Sequence, residues 1–115
     1  MQANKSIRVG KINEVILREL TLILKNKIKD PRLKNITIST VITSSDLSSA
    51  KVFFHTKENN TKEIVKLLNN KSQGFLRSTL ASSINLRNTP KLNFIYDSSA
   101  KTAIRIDELL LNLND

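Results

Sequence analysis

The sequence contains no cysteine, one histidine and two glycines among its 115 residues. Without cysteine the chain has no disulfide framework, no thiolate zinc site and no cysteine nucleophile. The lone His55 cannot supply a metal site built from several histidines, and Gly10 and Gly74 are too far apart for a glycine-rich phosphate loop. The carboxylates are scattered along the chain. The sequence therefore predicts no enzyme, no metal and no cofactor.

Aromatic residues and long apolar runs are also scarce. Only 4% of the residues are aromatic, so the core is expected to be aliphatic. No apolar stretch approaches the ~20 residues of a membrane-spanning helix, and the N-terminus lacks the apolar region of a secretory signal. We therefore expect one cytoplasmic domain covering residues 1–115.

Positive charge is abundant. Lys and Arg number 19 against 10 Asp and Glu, a formal net charge of +9. Such an excess attracts polyanions, which makes nucleic acid the first candidate partner and an anionic membrane surface the second. A codon bias towards Lys, Asn and Ile is the alternative explanation for the lysine content.

The first predicted helix runs from Asn4 or Ser6 to about Ile28. Its apolar residues recur at spacings of three and four, as on one buried helix face. Asp30-Pro31 ends it, because proline disfavours helix in the residue before it. A stripe of basic residues borders the apolar face. The stripe is interpreted either as a solvated surface or as a surface that faces nucleic acid. The stripe consists of Arg8, Lys11, Arg18, Lys25 and Lys29.

Two stretches rich in β-branched residues follow. They predict strands over Ile36–Thr43 and Ser49–Thr56, joined as a hairpin by a loop of about five residues. Alternate positions of a strand share one face. The residues expected to alternate onto common faces are Ile36, Ile38 and Ile42 in the first strand, and Ala50, Val52 and Phe54 in the second.

The stretch from Lys62 to Leu86 combines two helical patterns. Poor helix formers between them end at Gly74, which predicts a kink or tight turn rather than continuous helix. A helix that restarts near Gly74, with Lys71 before it and Arg77 after it, is a candidate phosphate site. The alternative is an ordinary helix C-cap followed by a second helix. The two apolar stripes are Ile64, Leu67 and Leu68, and Leu76, Leu80 and Ile84.

Alternation in KLNFIYD predicts a third short strand, and residues 100–113 return to a helical pattern. The predicted order is α-β-β-α-kink-α-β-α. A right-handed crossover makes strands two and three parallel, whereas the hairpin strands are antiparallel. We therefore expect an α+β fold with a three-stranded mixed sheet and helices packed on one face.

Several ordered blocks, spread over nearly the whole chain, resemble the ribosome-binding factor A family. They are Asp30-Pro31-Arg32-Leu33, ITISTVITSSDLSSAKVFF, GFLRSTLASSINLRNTPKLNFIYDSS and Arg105-Ile106-Asp107-Glu108-Leu109-Leu110. The resemblance implies a type II KH-like domain, in which an interrupted helix with an Ala-x-Gly kink replaces the usual GxxG loop. Ser72-Gln73-Gly74 stands at that place here, so the glycine matches and the alanine does not.

The resemblance also implies a function without catalysis. Members of the family bind immature 30S subunits and their 16S rRNA, assist late maturation of the 16S rRNA 5′ end and support growth in the cold. We expect a monomer with no small-molecule substrate and no membrane partner. A general KH-type RNA-binding protein without ribosomal specificity is the alternative, and a peripheral membrane or protein-interaction module is a third reading.

The candidate RNA-binding residues come from two arguments. KH modules clamp the nucleic-acid backbone at the helix–helix junction, which by resemblance implicates Lys71, Ser72, Gln73, Gly74 and Arg77. Charge and position add Arg87 and Lys91 beyond the second half-helix, and Arg8, Lys11, Lys25 and Lys29 on the first helix. Because no aromatic pair lies on an exposed strand face, we expect recognition through phosphates and RNA shape rather than stacked bases.

Overall fold

Helix α1, Gln2–Asn26, is the longest element of the computed structural model, which describes residues 2–84 and 88–98, with side chains from Val9 onward. The helix ends before Asp30-Pro31, as the sequence predicts. Its apolar stripe faces the core, where the most deeply buried members are Ile16, Leu20, Ile23 and Leu24.

A one-turn helix, α2 (Pro31–Lys34), lies between the first predicted helix and the first predicted strand, where the sequence pattern predicts neither. Pro31 takes the first helical position, where a missing N–H is no loss. The Asp30 carboxylate caps the turn by accepting a hydrogen bond from Arg32 N at 3.0 Å. The Arg32 guanidinium also donates to both Asp30 oxygens, at 3.1 and 2.8 Å. This cap holds the chain in a fixed direction as it leaves α1.

Strands β1 (Ile36–Thr43) and β2 (Ser49–Thr56) have the predicted bounds and form an antiparallel hairpin. Strand β3 (Lys91–Tyr96) pairs in parallel with β2, which is therefore the central strand. The predicted α+β fold with a three-stranded mixed sheet is confirmed. The core lies between one face of this sheet and the helices, and Ala50, Val52 and Phe54 of β2 are buried there.

A β-bulge at Ser39 changes the face of half of β1. Ile38 pairs with Phe54, but Thr40 pairs with Phe53, so β1 holds one residue more than β2 at this point. The alternation shifts beyond the bulge. Ile42, predicted on the same face as Ile36 and Ile38, is instead 51% exposed on the opposite face of the sheet, while Val41 is buried. That part of the prediction is wrong.

The predicted interruption of the second helical region is present, but its cause is different. Helix α3 (Thr61–Lys66) continues into a π turn (Leu67–Lys71), and α4 spans Gln73–Ser83. Gly74 lies inside α4, and no described glycine has a positive φ. The prediction of a turn opened by Gly74 is therefore wrong. The π turn, with its wider hydrogen-bonded loop, interrupts the α-helix instead.

The π turn aligns the two apolar stripes. Successive residues of a continuous α-helix turn by about 100°, so Phe75 and Thr79 would follow the α3 stripe on the buried side. The extra residue of a π turn rotates α4 by about the same angle. Leu76 and Leu80 are fully buried as a result. Burial of two leucines in place of a phenylalanine and a threonine favours this register.

Some predictions lie outside the described residues. They are the last helix, over residues 100–113, the candidate Arg87, and the side chain of Arg8. Within the described part of the chain, no helix is long and apolar enough to cross a membrane.

Candidate nucleic-acid interface

A groove separates the end of α1 and the connector to α2 from the π turn and the start of α4. Its volume is about 430 Å³, within the usual range for ligand sites. We call it the basic groove. It is lined by Lys27, Ile28, Lys29, Asp30, Leu33, Leu67, Lys71, Ser72 and Phe75. The fold thus brings together predicted site residues that are separated by more than forty positions in the sequence, Lys29 with Lys71 and Ser72.

The electrostatics of the basic groove are dominated by three exposed lysines, Lys27, Lys29 and Lys71. Asp30 is the acidic residue of the lining. Hydrogen bonds from Arg32 lower the pKa of the Asp30 carboxyl below its ordinary value, and the positive charge of Lys71 adds to the effect. The carboxylate is therefore ionised and already paired with Arg32, which leaves the lysines in excess for an anionic partner.

Ser72 stands between the π turn and α4. Its N–H donates to Leu67 O at 2.9 Å, and its carbonyl accepts from Leu76 N at 2.9 Å. Its side chain makes no capping hydrogen bond to α4. The first N–H groups of a helix lack acceptors within the helix and carry the positive end of its dipole. The end of α4 that borders the basic groove therefore favours a phosphate oxygen.

Gln73 has an internal role. Its Oε1 accepts a hydrogen bond from Leu92 N at 2.9 Å, and its Nε2 donates to Leu68 O at 3.4 Å. One turn earlier, Asn69 Oδ1 accepts from Phe94 N at 2.7 Å and its Nδ2 donates to Phe94 O at 3.0 Å. We call these two side chains the amide clamp. Gln73, predicted to contact RNA, thus attaches α4 to β3 and does not line the groove.

Gly74 lies next to the groove-lining Phe75 at the start of α4. A Cβ built at this position meets no heavy atom of the described chain within 4 Å. The fold therefore does not require a glycine here. Its lack of a side chain leaves open surface that a partner backbone can approach closely.

Two other predicted residues lie away from the basic groove. Arg77 Nη2 donates to Thr89 O at 2.9 Å, which ties α4 to the segment before β3. Lys91 is exposed on a second hollow of about 410 Å³ across the π turn. That hollow is lined by Ser49, Asn69, Asn70, Lys91, Leu92 and Asn93. Lys71 and Lys91 therefore belong to different surfaces.

The two candidate lysines of α1 whose side chains are described, Lys11 and Lys25, do not form one cluster. Lys11 and Lys25 are both exposed, but fourteen residues of helix separate them by about 21 Å along the axis. Neither lines the basic groove, whereas Lys29, beyond the end of α1, does.

Two residues that line the basic groove, Lys27 and Phe75, were not among the candidates predicted from the sequence. Lys27 alternates with Lys25 and Lys29 in the sequence, and its N–H still bonds to Ile23 O at 2.9 Å just after α1 ends. Phe75 directly precedes the buried Leu76 and is off the α4 stripe, which was a usable signal for a surface aromatic. No group of His, Cys, Asp and Glu able to hold a metal ion occurs within the described residues.

The family model for ribosome-binding factor A matches residues 8–110. The ribosome-binding factor A of Vesicomyosocius okutanii is 50% identical over 112 residues, which cover 97% of each chain. The crystal structure of ribosome-binding factor A from Thermus thermophilus matches with a TM-score of 0.69 and 23% identity, over 76% of this chain and 94% of that one. A Thermus thermophilus homology model, fitted into an electron cryo-microscopy map of a 30S complex of the same factor, matches with a TM-score of 0.62 and 24% identity, over 73% and 89% of the two chains.

Proposed function

Since the chain belongs to the ribosome-binding factor A family, we propose that it binds the small ribosomal subunit through 16S rRNA held in the basic groove. The bound protein assists late maturation of the 16S rRNA 5′ end and supports growth in the cold. It acts by occupancy rather than catalysis, as a cytoplasmic monomer of one KH-type domain.

One observation carries the proposal for this molecule. Lys27 and Lys29 on one wall of the basic groove face Lys71 and the uncapped end of α4 on the other. Lysines on both walls of a groove can neutralise successive phosphates of a nucleic-acid backbone that lies in it. The 30S complex fitted for the Thermus thermophilus factor supports the choice of the small subunit as the partner.

The test compares two double variants of equal net charge. Lys29→Ala with Lys71→Ala removes two groove lysines, whereas Lys57→Ala with Lys62→Ala removes two exposed lysines elsewhere. Both change the net charge from +9 by two units. Cosedimentation with purified immature small subunits is measured over a series of salt concentrations. We expect the groove variant to bind at least about tenfold more weakly and to lower the salt slope by roughly two.

The control variant is expected to retain nearly all of the binding at moderate salt. Equal losses in the two variants would show that bulk charge, rather than the groove, holds the subunit. Because phosphate contacts carry no base sequence, a general RNA-binding protein is the second candidate function. Equal affinity for small subunits and for any structured RNA of similar length would favour that candidate.

A further inference from the structure

Among the described residues, three large hydrophobic side chains are exposed, and Phe75 is the aromatic one. It is 49% exposed. The others are Leu22 and Ile42. Burial of an aromatic ring is one of the largest single gains that a partner can obtain from a surface side chain, so a ring left half in water is a candidate contact.

The register of α4 creates this exposure. Without the π turn, Phe75 would follow the buried stripe of α3, and the rotation of about 100° moves it off that stripe. The ring then lies at the basic groove, beside the connector that follows α1. The same turn that buries Leu76 therefore displays Phe75.

The surroundings of Phe75 combine apolar and cationic groups. Ile28, Leu33 and Leu67 line the groove with it, and Lys29 and Lys71 stand on the two walls. Proteins that bind single strands pair a cationic surface for the backbone with an aromatic ring on which a base stacks. In a continuous duplex the faces of the bases are covered by their neighbours, so a ring of this kind selects unpaired nucleotides.

We propose that the basic groove binds an unpaired nucleobase of RNA, stacked on Phe75, with the adjoining phosphates held by Lys29 and Lys71. The proposal rests on the proposed function and narrows its ligand to single-stranded or bulged RNA. It departs from the expectation, based on sequence, that phosphates and RNA shape suffice. Phe75 adds preference for an exposed base, while the lysines add affinity for any RNA backbone.

The test uses two RNAs with equal numbers of phosphates. One is a single strand of about ten nucleotides with 2-aminopurine at one internal position, and the other is a fully paired duplex. Phe75→Ala is expected to weaken binding of the single strand by at least about fivefold and to change duplex binding little. Quenching of 2-aminopurine fluorescence by the wild-type protein, lost in Phe75→Ala, reports the stacking itself.

Further variants separate stacking from loss of apolar surface. Phe75→Tyr keeps the ring face and is expected to retain binding, whereas Phe75→Leu keeps an apolar side chain and is expected to lose it. Ile42→Ala, at a position 51% exposed on the opposite face of the sheet, is the control and should bind both RNAs normally. Urea unfolding of each variant verifies that the fold is intact.

Three outcomes would overturn the proposal. They are unchanged binding by Phe75→Ala, an equal loss on single strand and duplex, and weaker binding to small subunits with normal binding to both RNAs. The last would assign the ring to a protein partner. If the wild type cosediments with small subunits under these conditions, the proposed function stands whichever result Phe75 gives. Failure of the wild type to bind subunits and either RNA would overturn both.

Discussion

Gly74 directly precedes Phe75, which lines the basic groove, and its backbone has a conformation that any residue can adopt. Its φ is not positive, and a built Cβ meets no described heavy atom within 4 Å. We predict that Gly74→Ala raises the free energy of unfolding by about 0.5–1 kcal/mol, because alanine loses less backbone entropy in a helix. Urea denaturation measures the change.

Gly10→Ala is the matched control, because Gly10 lies in α1 and a Cβ there also meets nothing within 4 Å. Both variants should gain similar stability. Only Gly74→Ala should weaken RNA binding if a nucleic-acid backbone approaches α4 at this point. A less stable Gly74→Ala would contradict the helical conformation described for Gly74, and unchanged RNA affinity would remove it from the interface.

Asp46 stabilises the hairpin loop in a pH-dependent manner. It accepts hydrogen bonds from Ser44 Oγ at 2.7 Å, Ser48 Oγ at 2.8 Å and Ser48 N at 3.1 Å. These bonds lower the pKa of the Asp46 carboxyl from 3.8 to about 2. A carboxyl whose pKa is lowered by folding stabilises the native state above its unfolded pKa, and this contribution is lost as the pH falls through the folded pKa.

We therefore predict that wild type is more stable than Asp46→Asn at neutral pH and that the difference shrinks between about pH 4 and pH 2. Urea unfolding of both proteins over that range measures it. A difference that stays constant down to pH 2 would show that the hydrogen bonds do not depend on the ionised carboxylate.

At the scale of elements, the amide clamp joins the interrupted helix to the sheet. Asn69 satisfies both backbone groups of Phe94, and Gln73 satisfies the N–H of Leu92. Asn69→Ala would leave partly buried backbone groups without these partners. We expect it to lower the free energy of unfolding by about 1–3 kcal/mol. Chemical denaturation measures the loss.

The neighbouring Asn70→Ala is the control for that prediction. Asn70 is exposed in the same π turn, so the change should stay within about 0.5 kcal/mol. Equal losses in the two variants would mean that the π turn, rather than the clamp, responds to any substitution of asparagine.

The elements differ in how far the sequence alone determines them. Ile36–Thr43 and Ser49–Thr56 could be bounded in advance, because β-branched runs and a polar loop are local signals. The bulge at Ser39 and the π turn could not, since each inserts one residue to satisfy packing across the core. Leu76 and Leu80 determine the rotation of α4 about its axis only once α4 packs against α1 and β3.

The candidate site shows the same division. Lys71 and Ser72 were predicted from local charge and the broken helical pattern, and both line the basic groove. Lys27 and Phe75 reach the same groove only through the packing of distant segments. The bond between the Gln73 amide and β3 could not be foreseen, because the backbone N–H that it binds lies far along the sequence. The contact of Gln73 with RNA stays a prediction.

At the scale of the whole molecule, the net charge of +9 acts on stability and on binding in opposite directions. Like charges repel one another in the compact state, and salt screens that repulsion. We predict that raising NaCl from about 50 to about 500 mM raises the free energy of unfolding while it lowers RNA affinity steeply. Urea titrations and RNA-binding curves on the same samples measure both trends.

A parallel fall of both quantities would show that attractive ion pairs outweigh the repulsion. Two ion pairs join residues whose side chains the structure describes, Arg18 with Glu19 at 3.9 Å and Arg32 with Asp30 at 2.8 Å. Both are exposed, and pairs of that kind contribute little to stability. The screening of repulsion should therefore dominate.

The amide clamp also bears on solubility. An outer strand with free backbone groups can recruit a strand from another molecule and start aggregation. The clamp occupies those groups at Leu92 and Phe94 on the outer side of β3, and the bulge at Ser39 interrupts the regular ladder of β1, the other outer strand. We therefore expect Asn69→Ala to aggregate at a lower protein concentration than Asn70→Ala. The substitution frees the backbone N–H and C=O of Phe94 on the outer side of β3, which can then pair with a strand of another molecule.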